Sequence, residues 1–356
     1  MSRKTFFTIV KYVLGLALGG LLMWLAMRGI DFTQVEQGFK DANYLWVAIG
    51  LAVAILSHWY RAVRWKLLIE AAGYKSNAWN LFCSIMVGYL VNQALSRVGE
   101  VTRATMTAKS EKIPLSVSFG TMVTDRVFDV IALGLLVLGV FLFQFKEIMA
   151  IMDKAFANNA PATMNEESIP WKLIFGITFA VGMLVLIIFW KRFMRIALFA
   201  KGVAFSKDIW LAVKSVTKMK RPWLFLYQTV MIWVCYILMT YLVFFALKDT
   251  SGLSFTFAIT AFTMGGIGMV MPSPGGIGTY HFAIIMSFTA YASSFGWTED
   301  FAKVVGTNIA FIIHTSQFIM MIVAGVICYL FLLPKMKIGE GKPEQKLDKE
   351  LASAEN

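Results

Sequence analysis

Charge is scarce in this sequence: Lys, Arg, Asp and Glu make up 15% of 356 residues, against 58% hydrophobic ones, where soluble domains carry about 25% charge. That shortage excludes a water-soluble protein of this length. Cysteine is scarce too, and Cys83, Cys235 and Cys328 lie inside apolar segments without CxxC or metal-ligand spacing. Only three histidines are present, and no His/Cys/Asp grouping has the spacing of a metal centre. The Gly-rich runs lack the lysine and strand context of a nucleotide loop. No metal and no cofactor is therefore expected, and the 30 Phe, 21 Met and 11 Trp residues are assigned to packing and lipid contact.

What the sequence has is long apolar runs. About 20 helical residues cross the ~30 Å hydrocarbon layer, and six runs qualify: Phe6 to Met27, Tyr44 to Tyr60, Val117 to Phe143, Trp171 to Trp190, Pro222 to Leu247 and Val304 to Leu333. The first follows Arg3-Lys4 but exceeds a signal-peptide core and has no small-x-small cleavage site, so it is read as retained. Gly15, within it, is expected to face lipid.

The formal charge of +12 could suit nucleic acid, but its distribution excludes that partner. Arg61, Arg64, Lys66 and Lys75 follow the second run, and nine basic residues lie between Lys191 and Arg221 against the single acid Asp208. Basic residues concentrated in alternate loops follow the positive-inside rule. The expectation is a multi-pass protein of the cell membrane with both termini cytoplasmic, a far-side loop over 146–169 and a disordered tail over 336–356.

Two further apolar stretches are interrupted. Trp79 to Ser96 ends in Asn92-Gln93 and Ser96-Arg97-Val98-Gly99-Glu100, and the chain then stays polar and basic over Val101 to Lys112. Leu253 to Tyr291 is broken by Met271-Pro272-Ser273-Pro274-Gly275-Gly276-Ile277-Gly278, because proline removes an amide donor and glycine frees the backbone. Both read as re-entrant hairpins from opposite sides. The order span, span, hairpin, span then occurs twice, giving an all-α inverted repeat of six spans and two hairpins, with halves 1–145 and 170–335 in one membrane domain, 1–335. Ser96-x-x-Gly99-x-x-Thr102 is echoed by Ser273-x-x-Gly276-x-x-Thr279. Broken backbone persists at membrane depth only inside protein or along a hydrated cavity, where transporters of this layout bind substrate.

Candidate site residues cluster at these breaks. Arg97, Glu100 and Arg103 adjoin the first, beside Asn92; Asp125, Arg126 and Asp129 lie in the first turns of the third span, with Asp125 and Asp129 on one helix face. Charges at membrane depth are costly and are functional candidates by default. Two readings stand: carboxylates and arginines clamp the hairpin to the third span, or the arginines guide an anionic headgroup with the fork geometry that suits phosphate. Pro272, Gly275, Gly276 and Gly278 form the second break, and the helix opened by Gly278 offers free amides to an anion. His281, on its first turn, is either neutral and bonded to a neighbouring hydroxyl or a proton carrier. His314 and Gln317 read as interhelical hydrogen-bonding groups and His58 as interfacial.

The stretch Asn92-Gln93-Ala94-Leu95-Ser96-Arg97-Val98-Gly99-Glu100-Val101-Thr102-Arg103, with Thr124-Asp125-Arg126-Val127-Phe128-Asp129 and Pro272-Ser273-Pro274-Gly275-Gly276-Ile277-Gly278, resembles the lysylphosphatidylglycerol synthase/flippase membrane-domain family over residues 1 to about 335. The resemblance implies a flippase-type domain that moves lipids or lipid-linked groups between leaflets, with Arg97, Glu100, Arg103, Arg126 and Asp129 on matching positions. Asp125 stands where many relatives carry Glu, and His281 where many carry an acid. Only about 22 residues follow the last run, so the family's soluble aminoacyl-transferase activity is not expected.

The function expected is therefore non-enzymatic: a transporter of an anionic or polyprenyl-phosphate-linked lipid, with membrane lipids as partners and a homodimer as one open assembly. One alternative is a membrane transferase holding a divalent ion on Glu100, Asp125 and Asp129. Another is a secondary transporter of a small anion.

Overall fold

In the computed structural model the described residues are 3–94, 98–145, 214, 216, 217, 219–271 and 273–337, with side chains described from residue 13. The expected fourth span, the far-side loop, most of the basic stretch before Arg221 and the tail beyond 337 fall outside them, as do Arg97 and Pro272. The chain divides into two units, Met1–Leu136 with Met219–Asn356, and Val137–Lys218. Of the second, residues 137–145 are described together with 214, 216 and 217; they include the end of α6. Everything below concerns the first.

The described residues are helical, without strands. In chain order they form α1 (Arg3–Met27), α2 (Phe32–Asp41), α3 (Tyr44–Ala71), α4 (Ala78–Ala94), α5 (Val98–Glu111), α6 (Leu115–Phe143), α7 (Pro222–Phe244), α8 (Phe255–Val270), a 3-10 turn (Pro274–Gly276), α9 (Thr279–Ala290), a second 3-10 turn (Ala292–Phe295) and α10 (Glu299–Lys337). Their starts are written locally. Asp31 accepts from Thr33 N at 2.9 Å, Asn43 from Leu45 N at 3.1 Å, Asn77 from Trp79 N at 2.8 Å and Ser254 from Phe257 N at 3.2 Å, each satisfying an orphan amide of a helix start. Pro222 opens α7, where a missing N–H costs nothing.

Four of these helices, α3, α6, α7 and α10, are long and apolar enough to cross a membrane, and Val13–Met27 with α2, bent by 92°, makes a fifth candidate. Two boundaries depart from expectation in ways that matter. A ten-residue helix, α2, fills the gap after the first run, its Gly38 lying so close to α10 that a Cβ there would overlap the Asn308 amide. Helix α3 does not stop at Tyr60 but continues to Ala71, carrying Arg61 and Arg64 inward as buried residues. They are therefore not loop charges. A helix that continues at 3.6 residues per turn places both on the face that packs, whatever the local loss of hydropathy.

Both interrupted stretches fold as helical hairpins. Helices α4 and α5 cross at Gly88 and Gly99, where a Cβ on Gly88 would lie 2.9 Å from the Gly99 carbonyl. Asn92 closes the tip by accepting from Gly99 N at 2.8 Å. At the open end Glu111 of α5 accepts from Asn77 N and from the Asn80 amide, at 2.9 and 2.6 Å, so the two arms return to one level. In the second hairpin Gly265 and Gly268 of α8 pack against Tyr280 and Ala283 of α9, and Phe257 meets Phe288 and Tyr291 at the base.

The turn of that second hairpin needs glycine. Gly275, Gly276 and Gly278 have φ of 58°, 75° and 84°, the left-handed region that side chains resist. Gly278 also lies against the Gly19 carbonyl of α1, and a Cβ on Gly19 would meet the Ile277 carbonyl. Gly15 is buried on the same stripe of α1, which corrects the expectation that it faces lipid. Gly20 has open space around it. Gly19→Leu and Gly278→Leu are each expected to cost at least about 1–3 kcal/mol, the usual overpacking penalty, and Gly20→Leu about nothing. Thermal melting of the three variants in detergent checks this, and equal melting would show that α1 does not brace the turn.

Candidate functional site

Seven of the described charges converge where α3, α5 and α6 meet. Helical spacing sets this up: Arg61 and Arg64 at i, i+3 on α3, Glu100 and Arg103 at i, i+3 on α5, and Asp125, Arg126 and Asp129 within one turn of α6. Asp125 accepts from Arg64 Nε at 2.8 Å and from Arg103 Nη2 at 2.9 Å. Asp129 accepts from Arg64 Nη2 at 2.7 Å, from Arg61 Nη1 and from Arg126 Nη1 at 3.3 Å. Glu100 accepts from Arg126 through both its oxygens, one of them at 3.1 Å from Nε. Arg61 Nη2 donates to Tyr236 OH at 3.1 Å.

The cluster has two layers. The side chains of Arg64, Asp125 and Arg103 are 0%, 0% and 1% exposed. Arg103 lies 4.2 Å from the centre of the Trp65 ring, and Trp65 in turn donates to Thr121 at 3.0 Å. These groups are closed to any ligand. Arg126 and Glu100, at 32% and 28% exposed, form the accessible layer with Asp129. The expected clamp between hairpin and third span is thus present, with α3 as an unforeseen third member. Of the arginines expected to guide a headgroup, Arg103 is placed in the closed layer, Arg126 in the open one, and Arg97 lies outside the described residues.

Arg126, Asp129 and Arg61 form one end of a cavity of about 460 Å³. Its other end reaches the second hairpin at Gly275, Tyr280 and His314. The two breaks meet there, since a Cβ on Gly275 would lie 3.1 Å from Gln93 Oε1 at the tip of the first hairpin. Between the ends the wall is apolar and aromatic, with Trp233, Phe262 and Leu133 among its members. Val130, Met269 and Val270 line the cavity and are also exposed. Its mouth therefore lies between α6 and α8, halfway along α6.

The second break is positioned differently from expectation. Gly276 sits beneath Met269 and Gly278 against α1, and neither is on the cavity wall, so the amide end of α9 faces protein rather than a ligand. His314 Nε2 is 2.9 Å from the Gly275 carbonyl, and Gln317 donates to Met239 Sδ at 3.1 Å; both bridge elements, as expected. His281 does not bond a hydroxyl. The nearby Thr279 hydroxyl is paired with Ser273 at 2.6 Å, and the His281 ring is buried against Phe311 and His314 at 4.4 and 4.7 Å with neither nitrogen partnered. His58 is buried between Tyr89 and Tyr236 rather than interfacial. Glu100, Asp125 and Asp129 are each committed to guanidinium groups, and no three His, Cys, Asp or Glu side chains converge as metal ligands among the described residues.

A chain whose described residues are all helical, with several bilayer-length helices and a charged cavity between them, is a multi-pass membrane protein. It belongs to the lysylphosphatidylglycerol synthase TM region family, whose pattern matches residues 12–325. The UPF0104 membrane protein MJ1595 of Methanocaldococcus jannaschii is 24% identical over 317 residues, covering 82% of this chain and 86% of that protein. Glycosyltransferase AglD of Haloferax volcanii is 27% identical over 126 residues, 35% of this chain and 20% of that protein. No solved structure matches.

Proposed function

We propose that this chain is a flippase-type transporter, without catalysis of its own, that moves an anionic or polyprenyl-phosphate-linked lipid between leaflets. The observation that carries the reading is the cavity: Arg126 and Arg61 at one end, an apolar wall, and a mouth bordered by exposed Val130, Met269 and Val270 halfway along a spanning helix. A headgroup needs charge and its tails need oil. A cavity of about 460 Å³ suits the first, and an apolar mouth leaves the tails in the bilayer. Membership of a family named for a lipid synthase supports a lipid substrate, and the stretch shared with a glycosyltransferase extends the candidates to glycosylated lipids.

In this reading the two hairpins are re-entrant and related by an inverted repeat, and the basic loops put both termini in the cytoplasm. The test is to lock the mouth. Leu133 Cδ1 lies 3.5 Å from where a Cβ on Gly266 would stand, so Leu133→Cys with Gly266→Cys, in a chain whose native cysteines are replaced, suits a short reducible cross-linker. Cross-linked protein in vesicles is expected to lose flipping of a fluorescent anionic phospholipid and to regain it on reduction. Unchanged flipping with the link intact would refute this route.

A further inference from the structure

The charge cluster lacks one anion. Four guanidinium groups, Arg61, Arg64, Arg103 and Arg126, face three carboxylates, Glu100, Asp125 and Asp129, among the described residues. All six carboxylate oxygens already accept a guanidinium hydrogen, yet three donors remain: Arg61 Nε, Arg103 Nε and Arg103 Nη1 have no hydrogen-bond partner. A buried cation without its share of negative charge is unfavourable, and an incoming anion would complete the set.

Where that anion docks follows from the accessible layer. Arg126 lines the cavity and is the most exposed cation of the cluster, yet Glu100 occupies its fork with both oxygens, through Nε and Nη2. This bidentate geometry is the one a phosphate takes. Glu100 has somewhere else to go: its Oε2 stands 3.8 Å from Arg103 Nη1, the donor left without a hydrogen bond. A shift of about 1 Å turns that separation into a charge-assisted bond, for which N to O is about 2.7–2.9 Å.

We propose that Glu100 is a placeholder for the phosphate of the lipid headgroup: it holds Arg126 while the cavity is empty, yields the fork when the phosphate arrives, and moves to Arg103. The proposal rests on the flippase reading and assigns one residue of that site a positioning role. It accounts for a carboxylate held in the fork of the most exposed cation of the cluster. Release is assisted by the same exchange, because Glu100 returning to Arg126 displaces the phosphate.

The test is lipid binding by the full chain in nanodiscs of phosphatidylglycerol and phosphatidylcholine, read by native mass spectrometry. Glu100→Gln is expected to bind phosphatidylglycerol about two- to fivefold more tightly, the range set by removing one partly exposed ion-pair competitor, and to release it more slowly. Glu100→Asp, which shortens the reach to Arg126, should tighten binding in the same direction and serves if the Gln variant does not fold. A clamp role alone gives the opposite: weaker or unchanged binding in both variants overturns the placeholder. If the wild type binds no phosphatidylglycerol, the flippase reading fails first; if wild type binds and Arg126→Gln does not, while Glu100→Gln binds no tighter, only the placeholder fails. Inorganic phosphate binding to the detergent-solubilised protein as tightly as the lipid would overturn the assignment to a lipid headgroup.

Discussion

Asp125→Asn is expected to cost about 3–5 kcal/mol of stability, the usual penalty for removing one partner of a buried ion pair, and to leave little folded protein after extraction into detergent. The carboxylate is 0% exposed and takes hydrogen bonds from Arg64 and Arg103, which are themselves closed to solvent. Asparagine keeps the shape but leaves those two guanidinium groups short of charge. Arg64 retains Asp129 at 2.7 Å, whereas Arg103 keeps only Glu100 at 3.8 Å, so Arg103 is the cation left shortest of charge. Adding Arg103→Met to Asp125→Asn is therefore expected to recover part of the loss, because an apolar chain of similar length against Trp65 replaces a charge that has lost its hydrogen-bonded counter-ion. Melting temperature and the yield of monodisperse protein measure both variants. Melting of the Asn variant alone within a degree or two of wild type would mean that the inner layer does not hold α3, α5 and α6 together.

How much of this was legible in the sequence can be judged residue by residue. The apolar runs gave the long helices, because about 20 apolar residues have few other homes, and the Pro-Gly break was evident from residues that cannot continue a helix. The charges Glu100, Arg103, Asp125, Arg126 and Asp129 were found because they interrupt apolar surroundings. Arg61 and Arg64 were missed for the converse reason: they adjoin Lys66 and Lys75 and read as one basic loop. The available signal was the spacing His58, Arg61, Arg64, which continues one helical face past Tyr60. Helix α2 escaped because ten residues fall below any spanning length, although Asp31 ahead of it was a capping signal. The layering of the cluster could not be read at all. Which of Arg103 and Arg126 reaches the cavity depends on how α4 and α5 cross at Gly88 and Gly99, and a contact between segments leaves no trace in local periodicity. His281 shows the same limit, since the Thr279 hydroxyl two residues before it is paired with Ser273.

In the proposed function Arg126 receives a lipid phosphate in a cavity through which the lipid changes leaflet, and flipping by Arg126→Gln beside wild type decides whether it does. Vesicles holding fluorescent phosphatidylglycerol are reconstituted with each protein, and an impermeant reductant is added outside. With wild type nearly all the label is expected to become accessible, against about half without protein, since only one leaflet is then exposed. Arg126→Gln should flip at least about tenfold more slowly, a charge-assisted hydrogen bond being worth about 1.5–3 kcal/mol. Its melting should stay within about 1 kcal/mol of wild type, because a partly exposed ion pair contributes little. Arg126→Lys should keep part of the activity, having the charge without the fork. Normal melting with lost flipping is the pattern that the two-layered cluster predicts. Flipping by Arg126→Gln at the wild-type rate, at matched protein per vesicle, would contradict it.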